Sequence, residues 1–276
     1  MEGISAIVAT YNRKAELERL LKSLVSNNCD TLEVIIVDQN KNNLIDGLIN
    51  EYSNLLSIKH IKIDVPNQSM ARNIGAREAK YPIICFPDDD CWFEDNALNG
   101  IIKYFRENSQ TDLLIINWNQ NVNKASQSLR FTKRLIYSFR APMGYNTYVI
   151  VFKKDAFFRL GCFNETIGLG QYIGSGEDSE LIFRAAKNNL YIFHDTTIKV
   201  NHKYTPNLSR DLTSIRSRQR GIGYIYSKYL LFSFVPVRGL CSPLLSSLFC
   251  FDRKKTRAHF YTFLGRLEGL SYGFKN

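Results

Sequence analysis

Tyr81-Pro82-Ile83-Ile84-Cys85-Phe86 runs directly into Pro87-Asp88-Asp89-Asp90, and that junction decides the fold. A nearly uninterrupted apolar run is what a strand shows when both faces of its sheet are covered. The run stops at three adjacent carboxylates, which repel one another unless something neutralises them. The same grammar recurs upstream. Residues 4–9 form a β-prone run that ends at Thr10-Tyr11-Asn12, after which Ala15, Leu17, Leu20, Leu21 and Leu24 recur at helical spacing. Residues 32–37 are a second strand candidate, stopped at Asp38-Gln39-Asn40, and residues 58–65 a third, stopped at Pro66-Asn67. Residues 69–80 then read as a helix with small residues on one face. Strand–helix–strand repetition predicts a mostly parallel α/β sheet with helices on both faces. Ligands bind such sheets at the carboxyl ends of the strands. Thr10, Asp38, Asn67 and the aspartates all sit at predicted strand ends, along one rim.

Further along, residues 126–140 are basic, residues 145–152 read as a strand, and residues 154–160 as a helical turn. Four glycines in residues 168–176 predict a mobile or tightly turning loop. Residues 177–188 look helical with an acidic first turn, and residues 195–200 are a late strand ending at Asn201-His202. The last 70 or so residues differ in character. Arg210, Arg216, Arg218, Arg220 and Lys228 interleave with Ile215, Ile222, Tyr224, Ile225 and Tyr226. A basic cluster, Arg253-Lys254-Lys255 with Arg257, follows an apolar stretch and precedes Phe260, Tyr261, Phe263 and Leu264. The expected division is 1–208 for the α/β domain, in two halves that meet at about residue 110, and 209–276 for a helical region.

The chain has 276 residues and a net charge of +10. That excess implies an anionic partner: nucleic acid, a phosphate-bearing substrate or an acidic membrane surface. The six cysteines form no CxxC pair, so a zinc ribbon or thioredoxin site has no support. Their placement suits a reduced, cytoplasmic protein. Met1-Glu2-Gly3-Ile4 enters the first strand without a basic or long apolar leader, and a secretory signal is not expected. The most apolar region, 229–251, is broken by Pro236, Arg238, Gly239 and Pro243, and its longest charge-free piece is shorter than the ~20 residues a spanning helix needs.

Asp88-Asp89-Asp90 is the sharpest chemical feature. A hard divalent cation neutralises such a cluster, and Mg²⁺ or Mn²⁺ prefers one or two carboxylates plus phosphate oxygens. The plainer account is an acidic cap on a helix starting near Glu94, but Trp92 and Phe93 intervene.

Five motifs taken together resemble a family 2 glycosyltransferase of the GT-A fold. They are Val8-Ala9-Thr10-Tyr11-Asn12-Arg13, Val37-Asp38-Gln39-Asn40, residues 67–75 with Arg72, Phe86-Pro87-Asp88-Asp89-Asp90, and Gly176-Glu177-Asp178. Each is weak alone; the ordered set, spanning residues 4–202, is strong. The resemblance implies that Thr10, Tyr11, Asn12, Asp38 and Arg72 bind the nucleotide. It implies that Asp88 and Asp90 are the outer members of a DxD metal motif, Asp90 the direct ligand, with Asp89 near the ribose. Mn²⁺ or Mg²⁺ is the implied cofactor, His202 a further metal or diphosphate contact, and Asp178 the general base. Glu177 and Trp92 fall among the implied substrate contacts, though Glu177 also reads as a helix-start carboxylate and Trp92 equally as core. Gln39 departs from the family pattern, which leaves base preference open, with uridine the default. Family members invert the anomeric carbon by direct displacement.

Other classes fit less well. A nucleotidyltransferase would carry a glycine-rich basic loop where this chain has Thr10-Tyr11-Asn12-Arg13. No RNA-recognition or zinc-finger motif is present, and the basic residues crowd into the tail, so nucleic acid is not the expected partner. A non-catalytic sugar-nucleotide binder would show a broken motif. The tail has two readings: a helical appendage packed on the domain, or a region lying peripherally on an anionic membrane. The second implies a lipid-linked saccharide acceptor at the inner face of the cell membrane, as in assembly of O-antigen, capsule or exopolysaccharide. Tyr172, in the glycine-rich loop, is a candidate to stack on an acceptor sugar, and His194 reads as structural.

Overall fold

The computed structural model describes residues 2–118, 129–131, 146–202, 211–230 and 234–275. Most of the basic stretch 126–140, Tyr145 and Arg210 lie outside the described residues. Strand β1 (Ile4–Thr10), helix α1 (Lys14–Ser26), β2 (Leu32–Asp38), α2 (Asp46–Tyr52), β3 (Ile58–Lys62), α3 (Gln68–Glu78) and β4 (Ile83–Cys85) follow in order. The four strands pair in parallel as β3-β2-β1-β4. Every residue of β1, β2 and β4 is buried, as strands covered on both faces require. Helix α3 lies unusually close to this sheet. A methyl group on Gly75 would stand 2.4 Å from Cγ2 of Ile7 and 3.2 Å from Cγ2 of Val37, so only glycine lets the helix seat there and bring Arg72 to the strand ends.

The second half is a mixed extension of the same sheet. Strand β5 (Cys91–Phe93), helix α4 (Ala97–Glu107), β6 (Leu113–Trp118), β7 (Leu129–Phe131), β8 (Ile150–Lys153), helices α5 (Lys154–Arg159) and α6 (Glu177–Lys187), and β9 (Ile192–His202) complete it. The order beyond β4 is β8-β6-β9-β5, with β7 also on β9. Strand β8 is antiparallel to β4 and β6, β6 is parallel to β9, and β5 and β7 run antiparallel to β9. The helix expected from Glu94 starts instead at Ala97, because Cys91–Phe93 is committed to β9. The aspartates therefore do not cap α4. Cys91 lies opposite His202 in that pairing, which carries a residue from the far end of the domain to the aspartates.

The tail is helical throughout its described parts: α7 (Leu212–Ile225) with a π-helical turn at Tyr226–Leu230, α8 (Val235–Phe249) and α9 (Arg253–Lys275). Helix α9 packs on α7 through Gly265, Gly269 and Gly273, one every turn. A methyl group on each would collide with Arg216 O, Arg220 O and Ser227 Oγ respectively, at 2.4 Å or less. Close approach lets Glu268 meet both Arg216 and Arg220, the latter at 2.8 Å. Alanine normally improves a helix over glycine by about 0.5–1 kcal/mol. Here Gly269→Ala is expected to destabilise the protein by about 1–3 kcal/mol through overpacking. A raised Tm in thermal unfolding would contradict this packing.

Candidate active site

The strand ends converge. Thr10, the last residue of β1, donates through Oγ1 to Asp89 Oδ2 at 2.9 Å. Arg13 reaches both Asp89 (2.9 Å) and Asp90 (2.5 Å). Buried Arg72 bridges Asp88 at 2.7 Å and Glu177 at 3.2 Å. His202 Nε2 lies 2.9 Å from Asp90 Oδ1. One ligand atom from each of Asp88, Asp90 and His202 lies within 4.8 Å of the others.

This set suits a hard divalent cation. Two carboxylates and an imidazole are donors that Mn²⁺ accepts, and diphosphate oxygens complete such a shell. The charge balance points the same way: Asp88, Asp89, Asp90, Glu177 and Asp178 gather around two guanidiniums, Arg13 and Arg72. Burial raises Asp88 against the pull of Arg72, and raises Asp89 to about 6 against Arg13 and Thr10. Burial also pushes on Asp90, but His202 and Arg13 together outweigh it and hold this carboxyl below its usual range. Asp90 is thus the one of the three adjacent aspartates whose charged form its neighbours favour. A second acidic group, Asp38 with Asp46 and His60, is already supplied with partners: Lys62 holds Asp46 at 2.8 Å, and His60 sits 3.1 Å from Asp38.

Asp38 is fully buried at the end of β2. Its Oδ1 accepts from the backbone N–H and the side-chain amide of Asn40, at 2.9 and 2.6 Å. Asn40 in turn accepts from the N–H of Asn12 at 2.8 Å, where Asn12 adopts φ +56°. Gln39, the departure from the family pattern, ties strand ends together: its Oε1 accepts from Asn67 N–H at 2.8 Å, and its own backbone N–H donates to Thr10 O at 3.0 Å. Asn67 caps α3 by accepting from Met70 N–H at 3.0 Å. Tyr11 stands half-exposed beside this cradle.

Asp178 is the second residue of α6, which follows Gly176, whose φ of +94° suits glycine. Burial and the neighbouring Glu177 and Asp88 raise its carboxyl to about 7, against the Ser179 N–H and Arg72. The preceding loop is tightly turned rather than loose. Gly168 N–H donates to Ile173 O at 2.8 Å, Gly174 N–H to Ser217 O at 3.2 Å, and Ser175 Oγ to Arg218 O at 2.7 Å. Tyr172 does not stand free in this loop: the Arg220 guanidinium lies 4.0 Å over its ring, with Tyr272 at 5.6 Å. Trp92 carries the Arg19 guanidinium 4.2 Å over its ring, and Arg19 also donates to Asp90 O at 2.7 Å. His194 lies within β9, opposite Ile115.

Sequence reasoning gave no role to Arg13, to Tyr148, whose ring stacks on His202 at 4.7 Å, or to Trp118 beside them. Arg13 was visible in the first motif. Tyr148 and Trp118 carry no local signal, since only the β6–β8–β9 pairing gathers them. Arg72→Lys is expected to lower stability by about 2 kcal/mol, because one ammonium cannot replace a planar fork holding two carboxylates. Urea unfolding with unchanged stability would remove that bridge from the account.

The architecture is that of the GT-A glycosyltransferases. A mannosyltransferase from Pyrobaculum calidifontis, solved with GDP-Man and Mn²⁺, superposes with a TM-score of 0.67 at 15% identity, covering 97% of this chain and 86% of that one. S. aureus TarS 1–349, solved with UDP-GlcNAc, superposes with a TM-score of 0.59 at 17% identity over 99% of this chain and 92% of that one. The chain belongs to glycosyl transferase family 2, whose profile matches residues 5–164. It is 30% identical over 119 residues to the poly(ribitol-phosphate) β-N-acetylglucosaminyltransferase TarP of Staphylococcus aureus, 42% of this chain and 36% of that protein. It is 26% identical to an uncharacterized glycosyltransferase of Haemophilus influenzae over 82% of this chain and 77% of that one. With Escherichia coli chondroitin synthase it shares 27% identity over 83% of its own length and 40% of that enzyme's. The chain thus spans well under half of the first and third of these relatives.

Proposed function

We propose that this protein is an inverting, metal-dependent glycosyltransferase that moves a sugar from a UDP-sugar to a hydroxyl of a lipid-linked saccharide. The setting would be assembly of a bacterial surface polysaccharide at the inner face of the cell membrane. The observation that carries the reading is Arg72, which joins the aspartate cluster through Asp88 to the start of α6 through Glu177. Asp178, next along α6, is a carboxyl raised to about 7.

Thr10, Tyr11, Asn12 and Asp38 would hold the nucleoside, with Asp89 toward the ribose. Asp88, Asp90 and His202 would hold Mn²⁺ or Mg²⁺, which when bound stabilises negative charge on the leaving diphosphate. Arg72 adds a fixed positive charge beside the same place. Glu177 keeps that guanidinium oriented. Asp178 takes the proton from the acceptor hydroxyl as its oxygen attacks the anomeric carbon. Direct displacement inverts that carbon and needs no covalent nucleophile. The uridine preference has the UDP-GlcNAc complex of TarS behind it. The GDP-Man complex of the mannosyltransferase favours a second reading, a guanosine donor. The lipid-linked acceptor rests on the basic, aromatic tail; among the described residues no helix is long and apolar enough to cross a membrane.

Hydrolysis of a panel of UDP- and GDP-sugars, with Mn²⁺, with Mg²⁺ and with EDTA, tests the donor side. Slow metal-dependent release of UDP from one donor is expected. Release of GDP alone would replace the uridine reading. No turnover together with no metal-dependent nucleotide binding in calorimetry would replace the transferase with a non-catalytic protein.

A further inference from the structure

Helix α8 is built inside out. Its buried positions are Pro236, Gly239 and Pro243, while Val237, Cys241, Leu245 and Leu248 follow at three- and four-residue steps on the exposed side. A surface helix ordinarily turns its large apolar side chains toward the core. The corner leading to α9 continues the pattern: Phe249 is 76% exposed and Phe251 fully so. Contiguous apolar surface of this kind marks an interaction site.

The charge beside it identifies the occupant. Between residues 234 and 260 there are five Lys or Arg and one acid, Asp252. Asp252 is occupied in accepting from the backbone N–H groups of Lys254 and Lys255. Arg253, Lys254, Lys255 and Arg257 are all exposed. Two copies meeting at this tip would bring like charges together. An apolar edge with a cationic rim matches a leaflet of anionic lipid, acyl chains below and phosphate headgroups at its level.

We propose that the outer face of α8 and the 249–251 corner insert shallowly into an anionic bilayer, with Arg253, Lys254 and Lys255 on its headgroups. This rests on the reading of the tail as membrane-associating and confines that role to one edge. The rest of the tail has a different task. Helix α9 returns to α7 at Gly265, ~12 Å of helix beyond Arg257, and α7 holds the loop just ahead of Asp178 through the carbonyls of Ser217 and Arg218. Bilayer contact at the tip therefore carries through packed helices to the acceptor side of the site.

The test is flotation of the full chain with phosphatidylcholine vesicles, with and without phosphatidylglycerol. Two triple variants accompany it, Leu248→Ser/Phe249→Ser/Phe251→Ser and Arg253→Ala/Lys254→Ala/Lys255→Ala, with donor hydrolysis measured on every protein. The native protein is expected to float with anionic vesicles only. Each variant is expected to lose binding about tenfold or more while keeping its hydrolysis rate, since each basic residue near the surface contributes measurably. Equal binding to neutral vesicles, or retention by both variants, overturns the proposal. So does a native dimer that fails to float and that the apolar variant dissociates, which would make the tip a self-interface. Flotation with neither hydrolysis nor metal-dependent nucleotide binding supports the membrane edge and overturns the transferase; hydrolysis without flotation does the reverse.

Discussion

Asp90→Ala is expected to lower metal-dependent turnover of the donor by at least about 100-fold, in line with the several kcal/mol a catalytic metal contributes. The reason lies in the division of labour among three adjacent carboxylates. Asp88 is tied to buried Arg72, and Asp89 to Thr10 and Arg13. Asp90 alone is held below the usual carboxylate range, by His202 and Arg13 working against burial. It is also the one of the three that pairs with His202, at 2.9 Å, rather than with Arg72 or Thr10. Its loss cuts the three-donor set to two and should raise the Mn²⁺ concentration needed for half-maximal turnover. The fold should survive, because Asp90 lies at the rim of the sheet ahead of β5 and the aspartates beside it keep their partners Arg72, Thr10 and Arg13. Asp90→Glu should recover part of the metal dependence. Calorimetric titration of Mn²⁺ with UDP, alongside UDP release, checks both points. Native-like metal dependence in Asp90→Ala would take Asp90 out of the site.

Much of this arrangement was legible before any coordinates. The parallel half could be read because β1, β2 and β4 are apolar runs stopped by a polar group at the carboxyl end, so Thr10, Asp38 and the aspartates announce their own position. Helix α2 and strand β5 escaped notice because seven and three residues are too few for periodicity to speak. The mixed extension was hidden for another reason. Strand β8 joins β4 and β6 only through pairings distant in sequence, and no local pattern encodes them. Site composition followed the motifs, but ion-pair assignment did not. That Arg72 spans Asp88 and Glu177 depends on Gly75 seating α3 against β1 and on α6 arriving 105 residues later. That His202 reaches Asp90 depends on the Cys91–His202 register.

The tail shows the converse limit. Its basic and aromatic composition was obvious, yet composition could not separate a packed appendage from a membrane-facing one. The structure separates a packed part of the tail from an exposed apolar part. Gly265, Gly269 and Gly273 press α9 onto α7, and α7 braces the glycine-rich loop. Val237, Leu245, Leu248 and Phe249 of α8 are left exposed.

Asp178→Asn is expected to lower kcat by about 10²–10⁴-fold, the usual worth of a positioned general base, with little change in donor affinity. A carboxyl raised to about 7 is matched to that task, since a base titrating near the working pH combines strength with availability. The pH profile supplies the sharper test. In the native protein kcat/KM should climb as pH rises through about 7, as Asp178 loses its proton, and the residual rate of Asp178→Asn should lack that limb. Stability should move the other way. Because the folded carboxyl titrates near 7 while an unfolded aspartate titrates near ~3.9, the folded state favours the protonated form. Its contribution is fully present below the unfolded value and is lost as pH rises through the folded one. Above pH ~7 the native protein therefore carries an ionised, partly buried Asp178 beside Glu177 that asparagine would not. The variant should melt higher than the native protein at alkaline pH, with the gap closing as pH falls toward the unfolded value. A protein both slower and more stable is the mark of a group kept for chemistry at a cost to the fold. If Asp178→Asn instead melts lower across the whole range, its carboxylate holds the start of α6 together, and the proton must go elsewhere.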